Sequence, residues 1–254
     1  MDYFKVCHDE DIINRQISLN YQWLFVGNRN TENLTDNSVI ICRNLEKNIE
    51  EYPYLCSFTA WYAVAKNNLA KSNNITLIEY DTTIKSSNLF HYQLNHNNQI
   101  ICYSTTLFDH YVFYKSTPWL EISLKQIYGI DLKQFVKDHK DQYKFWPTTT
   151  NITLSKDTLN RFVDWFLPMT GIFRHDPLGA YVHERAFFIF CVLNKIQIVY
   201  SQNAISHDQA ASHNILDLYG SFLQKKNTRD FHNSMVEEYD LMYDQLTKRC
   251  IEKK

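Results

Sequence analysis

Two carboxylates flank a tyrosine where an apolar stretch of the chain ends. The segment ITLIEYD, residues 75–81, reads as a buried strand that finishes with Glu79, Tyr80 and Asp81. Alternate side chains of a strand point to the same face, which would bring the carboxylates of Glu79 and Asp81 together. Such carboxylates repel each other unless a cation neutralises them. Their oxygen atoms suit Mg²⁺ or Mn²⁺, and either cation could bind phosphate oxygens at its remaining positions. The alternative is a solvated turn, because acidic residues commonly follow strands.

Strands and helices alternate along the chain around this segment. Apolar stretches predict strands at 21–30, 38–45, 75–81, 99–104 and 196–201. Helical spacing of apolar residues predicts helices at 53–68, 117–140 with a break at Gly129, 155–169 with Ser155 as N-cap, and 183–194. This alternation predicts an α/β sheet with helices on its faces. Cofactors in such sheets bind beyond the carboxyl ends of the strands, and Asp81 lies at one of these ends.

The bulk composition excludes several classes of protein. The 254 residues are 44% hydrophobic and 21% charged, which is enough to build a full core. A net charge of −2 provides no global attraction to nucleic acid or to an anionic membrane. Charged residues interrupt the first twenty positions, and the longest apolar run, 186–193, is far shorter than the roughly 20 residues that span a bilayer. We therefore expect a cytoplasmic protein with no integral membrane segment.

The cysteines and the missing motifs narrow the chemistry further. The six cysteines show no CxxC spacing, and Cys56 and Cys191 fall inside apolar helical patterns, as buried thiols in a reducing compartment do. The sequence contains no GxGxxG, GxxxxGK[ST] or GxSxG motif. The common dinucleotide, NTPase and hydrolase sites are therefore not expected.

The segments EYPYLCSFTAWYAVAKNN, ITLIEYD and TPWLE follow one another in an order that resembles a group of GT-A-type glycosyltransferases. The similarity extends loosely over residues 20–210. Members of that group place a D-x-D or similar acidic motif after the strand; here Asp81 matches the second Asp, and Glu79 stands in place of the first. The resemblance implies a single GT-A-like (Rossmann-like) domain at 1–214, with a mainly parallel sheet flanked by helices. Residues 215–254 would form a helical C-terminal extension packed on this domain.

This resemblance also implies an activity, which is metal-dependent transfer of a sugar from a nucleotide donor to a hydroxyl of a glycan or other acceptor. A UDP-sugar is the expected donor, and Mn²⁺ or Mg²⁺ the expected cofactor. Asp81 would bind the cation, whereas Glu79 would contact the cation's water or the ribose, with Tyr80 beside them at the nucleotide. The loop after the strand at 21–30 would place Asn28 and Arg29 at the base or diphosphate, although the same residues also suit a plain turn.

Further candidates stand outside these loops. Arg43, which follows the segment VIIC in the predicted strand at 38–45, is another candidate for the nucleotide, although it also suits a plain turn. Glu184, in HERAFFIFCVL, matches an acidic residue near the acceptor and would be the general base, although the helix dipole alone also explains a glutamate there. Asp176, in the loop FRHDPLG, is the rival base. His207 or His213 would complete the metal site, and His207 is preferred because it lies closer to the preceding strand; a polar loop without a role is the alternative.

One aromatic residue is a candidate for the acceptor site. Trp146, in the segment KFWPTTTN, is predicted to lie in a loop that lines the acceptor cleft.

A different metal-dependent phosphotransfer or hydrolytic enzyme could use the same carboxylates, although no phosphate-binding loop supports it. A non-catalytic interaction domain that retains the fold is the other alternative, and Glu79 in place of the first Asp is the feature that suggests it.

Overall fold

The computed structural model describes residues 1–16, 21–34, 36–84, 94, 97–107, 117–143, 145–147, 150–174, 182–201 and 205–207. The predicted C-terminal extension at 215–254 lies outside these ranges, as do the candidate residues Asp176 and His213. None of the described helices is long and apolar enough to cross a membrane.

The described strands form one large sheet and two short ribbons. They are β1 (Asp2–Cys7), β2 (Gln22–Phe25), β3 (Val39–Ile41), β4 (Asn74–Glu79), β5 (Thr82–Ile84), β6 (Gln99–Cys102), β7 (Thr105–Leu107), β8 (Phe145–Pro147), β9 (Ile152–Ser155), β10 (Gln197–Tyr200) and β11 (Ile205–His207). Within these residues, seven strands form the sheet in the order β10-β6-β9-β4-β1-β2-β3. β1 is parallel to β2 and β4, whereas β9 is antiparallel to both of its neighbours. This mainly parallel sheet with helices around it confirms the predicted α/β fold class.

Apart from the first helix, which was not predicted, the described helices fall within or close to the predicted segments. They are α1 (Glu10–Gln16), α2 (Ser57–Lys66), α3 (Thr117–Tyr128), α4 (Leu132–His139), α5 (Lys156–Phe173) and α6 (Val182–Leu193). Ser155 caps α5 as predicted, because its Oγ accepts a hydrogen bond of 3.1 Å from the backbone N–H of Thr158. Gly129 separates α3 from α4 with a positive φ of 66°, a conformation that glycine adopts without strain. The predicted break at Gly129 is therefore confirmed.

An aromatic cluster joins α2, α5 and α6. Phe162 of α5 is fully buried, and its ring lies 4.8 Å from that of Phe187 and 5.5 Å from that of Trp61. Phe58, in the first turn of α2, packs 4.6 Å from Phe166 in a T-shaped arrangement, which aromatic rings prefer. These contacts anchor the first turn of α2 in the core and fix α2 against α5 and α6.

Several predicted boundaries are wrong. The segment at 21–30 is the second strand rather than the first, because β1 precedes it. The segment at 38–45 forms only the short strand β3, followed by a 3-10 turn at Cys42–Asn44. The helix predicted from residue 53 begins at Ser57, since Pro53–Leu55 form a 3-10 turn and Cys56 breaks the helical path with a φ of 45°.

Candidate functional site

A cavity of about 450 Å³ opens where β1, β2 and β4 end. Each strand contributes lining residues from its carboxyl end: Cys7 and His8 from β1, Val26 and Gly27 from β2, and Glu79 and Tyr80 from β4. Parallel strands bring their carboxyl ends to the same edge of a sheet, and this edge is where α/β proteins bind ligands. The structure therefore has a cavity at the edge where the sequence predicts a cofactor.

Glu79 is held firmly in the wall of this cavity. Ser57 Oγ donates a hydrogen bond of 2.7 Å to Glu79 Oε1, and the hydroxyl of Thr150 donates to the same atom. Burial raises the pKa of the Glu79 carboxyl; the hydrogen bonds from Thr150 and Ser57 lower this pKa, and the nearby Asp81 carboxylate raises it. The backbone N–H of Glu79 donates to Asn151 Oδ1 at 2.8 Å. Both the side chain and the backbone of Glu79 are thus fixed by polar contacts.

Asp81 lies just beyond the strand, in a turn. β4 ends at Glu79, and Tyr80 and Asp81 form the turn that leads into β5. The predicted strand to residue 81 is therefore wrong, and strand alternation does not determine the direction of the Asp81 side chain. Glu79 and Tyr80 both line the cavity, whereas Asp81 lies outside its lining residues, partly exposed. Asp81 Oδ1 accepts a hydrogen bond of 3.3 Å from Thr82 Oγ1.

The backbone of His207 lies next to this acidic turn. β11 pairs with β5 in an antiparallel register that places His207 directly opposite Thr82. His207 thus lies across the ribbon from the residue that follows Asp81. A carboxylate and an imidazole together are a donor set that Mn²⁺ accepts. Among the side chains that the structure describes, no group of three His, Cys, Asp or Glu residues could hold a metal ion. Asp81 and His207 fit a divalent cation in residue type and in backbone placement.

The loop after β2 supplies polar groups at the rim of the cavity. Asn28 and Arg29 line it, and Gly27 turns the chain with a φ of 88°. Arg29 Nη1 forms an exposed ion pair of 2.9 Å with Asp9 Oδ2. Arg43 is not among the lining residues. Its Nη1 donates a hydrogen bond of 2.9 Å to the backbone oxygen of Arg29. Arg43 therefore supports the loop that carries Asn28 and Arg29.

Glu50 is a buried acid in the cavity that sequence reasoning missed. It is 3% exposed, and its Oε2 accepts a hydrogen bond of 2.6 Å from the backbone N–H of Gly27. Burial raises the pKa of this carboxyl, and the hydrogen bonds from Gly27 and Thr59 lower it. The surrounding sequence, KNIEEYP, has neither a strand nor a helix pattern, so no signal marks Glu50 as buried.

Cys56 also lines the cavity, at the start of α2. The prediction that it is a buried helical residue is wrong, because it is exposed and precedes the helix. Where Cys56 faces the cavity, desolvation raises the pKa of its thiol, and the carboxylates of Glu79, Glu184 and Glu50 raise it further. Glu184, on α6, thus contributes to the electrostatic environment of this thiol, although it is not among the residues that line the cavity.

Glu184 and Arg185 form an ion pair in the first turn of α6. Arg185 Nη1 lies 3.6 Å from Glu184 Oε2, and the two side chains are 1% and 17% exposed respectively. The Arg185 guanidinium also lies over the ring of Trp146, 5.0 Å from its centroid. Trp146 is fully buried in β8, so the prediction that it lines an open acceptor cleft is wrong.

An aromatic pair completes the wall of the cavity. The rings of His8 and Tyr80 meet edge to face with their centroids 5.1 Å apart. Val6 and Val26 also line the cavity. The cavity thus combines aromatic and apolar side chains with the carboxylates of Glu50 and Glu79.

Comparison with known proteins assigns the fold to that of a glycosyltransferase. The structure is similar to the apo structure of WbbM, a bifunctional glycosyltransferase, with a TM-score of 0.55 and 11% sequence identity over 82% of this chain. The chain spans 45% of WbbM. No family model and no curated protein matches the sequence. The expected glycosyltransferase fold is therefore confirmed, whereas its GT-A type and its acidic motif stay predictions.

Proposed function

We propose that this protein transfers a sugar from a nucleotide donor, a UDP-sugar, to a hydroxyl of a glycan or another acceptor, with Mn²⁺ or Mg²⁺ as cofactor. The observation that carries this proposal is the cavity at the carboxyl ends of β1, β2 and β4, in a fold shared with a glycosyltransferase. Its volume of about 450 Å³ falls in the range of small-molecule sites.

The lining of the cavity suits the nucleoside part of such a donor. A flat base can pack against the ring of His8 or that of Tyr80, and the carboxylates of Glu50 and Glu79 can accept hydrogen bonds from ribose hydroxyls or base N–H groups. The same carboxylates would repel a diphosphate. We therefore place the diphosphate outside the cavity, toward the Arg29 guanidinium at its rim.

Asp81 and His207 are the residues that we propose as metal ligands. The Asp81 carboxylate follows the end of β4, and the β5–β11 register brings the backbone of His207 beside it. A divalent cation there would offset the charge on the diphosphate as the sugar departs. Among the residues that line the cavity, Arg29 is the arginine, and its guanidinium also pairs with the Asp9 carboxylate.

Glu184 is the residue that we propose as general base toward the acceptor hydroxyl. Its side chain is 17% exposed, and the ion pair with Arg185 holds its carboxylate in place. Its contribution to the electrostatic environment of Cys56, a residue that lines the cavity, supports this assignment. Asp176, outside the described residues, is the alternative base.

Calorimetric titration with UDP, with and without Mn²⁺, tests the proposal. We expect UDP to bind in the presence of Mn²⁺ and to stabilise the protein by about 2.7 kcal/mol at 100 times its dissociation constant. Asp81→Asn should abolish the Mn²⁺-dependent part of this binding, whereas the exposed control Asp141→Asn should bind as the wild type does. Equal binding by both variants would contradict the proposed role of Asp81.

The products formed from UDP-sugars separate the possible activities. A glycosyltransferase releases UDP and moves the sugar to the acceptor, or to water when no acceptor is present. A hydrolytic or phosphotransfer enzyme that cleaves the pyrophosphate would instead release UMP. If neither UDP nor any UDP-sugar binds, with or without metal, the proposal fails and an interaction domain becomes the better description.

A further inference from the structure

One buried amide contacts both ends of the acidic turn. Asn151 is 2% exposed and lies immediately before β9. Its Oδ1 accepts a hydrogen bond of 2.8 Å from the backbone N–H of Glu79, and its Nδ2 donates a hydrogen bond of 3.1 Å to Thr82 Oγ1. The two contacted residues flank Tyr80 and Asp81. The Asn151 side chain therefore spans the whole turn.

This amide continues the hydrogen bonding of the sheet beyond the point where strand pairing stops. The antiparallel pairing of β4 with β9 ends at Leu77 and Ile152. Glu79 lies beyond that pair, and the Asn151 side chain provides the acceptor for its N–H. Because an amide group is planar, its oxygen and nitrogen atoms keep a fixed separation, and the two ends of the turn are held at a corresponding distance.

The same amide determines the direction of a hydroxyl proton. Thr82 is 1% exposed, and its Oγ1 accepts from Asn151 Nδ2, which can act only as a donor. Thr82 Oγ1 in turn donates its single proton to Asp81 Oδ1 at 3.3 Å. Asn151, Thr82 and Asp81 thus form a chain of hydrogen bonds in which each bond polarises the next.

We infer that Asn151 is a positioning residue that holds the Asp81 carboxylate, through Thr82, in the orientation needed to bind a divalent cation with a nucleoside diphosphate. This inference rests on the proposed function. It assigns to Asn151 no contact with the ligand itself. Thr150, the preceding residue, holds the Glu79 carboxylate, so this segment fixes both acids of the turn.

The test measures UDP binding by calorimetry over a series of Mn²⁺ concentrations. Asn151→Asp keeps an oxygen acceptor for the N–H of Glu79 but replaces the donor that faces Thr82. We expect the half-saturating Mn²⁺ concentration to rise by about 10- to 100-fold, as is typical when a residue that orients a metal ligand is changed. UDP affinity at saturating Mn²⁺ should stay close to the wild-type value. Thr82→Val should act in the same direction, and Thr82→Ser, which keeps the hydroxyl, should restore the wild-type value.

Thr153→Val is the matched control. Thr153 lies in β9, and its buried hydroxyl bonds to Thr76 Oγ1 at 2.7 Å and to the Tyr103 hydroxyl at 2.6 Å. This variant loses buried hydrogen bonds on the same strand without touching the acidic turn. We expect it to lower stability and to leave the half-saturating Mn²⁺ concentration unchanged.

The outcomes distinguish the inference from the function on which it rests. If wild-type protein shows no Mn²⁺-dependent UDP binding, the proposed function fails before any variants are compared, and the role of Asn151 falls with it. If the wild type binds but Asn151→Asp leaves the Mn²⁺ requirement unchanged, or Thr153→Val raises it equally, only the positioning role is overturned. Should Asn151→Asp fail to fold, the comparison of Thr82→Val with Thr82→Ser decides.

Discussion

Replacing Glu50 with glutamine should change how the free energy of unfolding depends on pH. Burial raises the pKa of Glu50 in the folded protein; Arg43 lowers this pKa and Glu51 raises it by smaller amounts. The folded state therefore binds this proton more tightly than the unfolded chain does. The stability that protonated Glu50 contributes is fully present below the ordinary pKa of glutamate, and it is lost as the pH rises through the raised value.

The structure limits the size of this effect. A single titrating group changes the free energy of unfolding by at most about 1.4 kcal/mol per pH unit. Glutamine retains an oxygen that can accept the hydrogen bond of 2.6 Å from the Gly27 N–H. At acidic pH, where Glu50 is protonated, the two proteins should thus differ by about 1 kcal/mol or less. As the pH rises, Glu50→Gln should gain stability relative to wild type.

Urea denaturation at a series of values from about pH 4 to about pH 8 measures this difference. The exposed control Glu46→Gln should follow the wild-type curve at every pH. Desolvation also raises the pKa of the Glu79 carboxyl, so part of the wild-type slope should remain in Glu50→Gln. A difference between Glu50→Gln and wild type that stays constant, or that turns in favour of wild type at higher pH, would refute the reasoning.

Two further substitutions test the packing and the backbone around the cavity. Phe162→Ala, in the fully buried aromatic cluster, should lower the free energy of unfolding, measured by urea denaturation, by about 3–5 kcal/mol. The control Tyr54→Ala, at an exposed position, should change it by about 0.5 kcal/mol or less. Similar losses in the two variants would contradict the assigned core. Cys56→Gly should be more stable than Cys56→Ala by about 1 kcal/mol, because the φ of 45° strains any residue with a Cβ; equal stabilities in thermal melts would contradict this strain.

The sequence predicted those parts of the fold that depend on strong periodicity. α5 and α6 carry long apolar patterns, and Ser155 and Gly129 occupy positions where local chemistry determines a helix end. β1 was missed because Lys5 and Asp2 interrupt its apolar pattern, although Lys5 is buried in the structure. β9 was missed because its four residues, ITLS, are too few to show a period.

The candidate site was predicted only in part, because some of its residues reach it only through tertiary contacts. Glu79 and Tyr80 were found because they follow an apolar strand. Glu50 and Asn151 come from segments without a recognisable pattern, and they reach the site through contacts with residues 23 and 72 positions away, namely Gly27 and Glu79. No local signal in a single sequence reports such long-range hydrogen bonds.

A crystal structure of the protein with UDP and Mn²⁺ tests the central claim most directly. We predict the uridine in the cavity formed by the ends of β1, β2 and β4, with its base beside Tyr80 and its ribose near Glu79. Anomalous density for manganese should lie on the Asp81 carboxylate, between the protein and the diphosphate. Nucleotide bound elsewhere on the molecule, or manganese density remote from Asp81, would contradict the account.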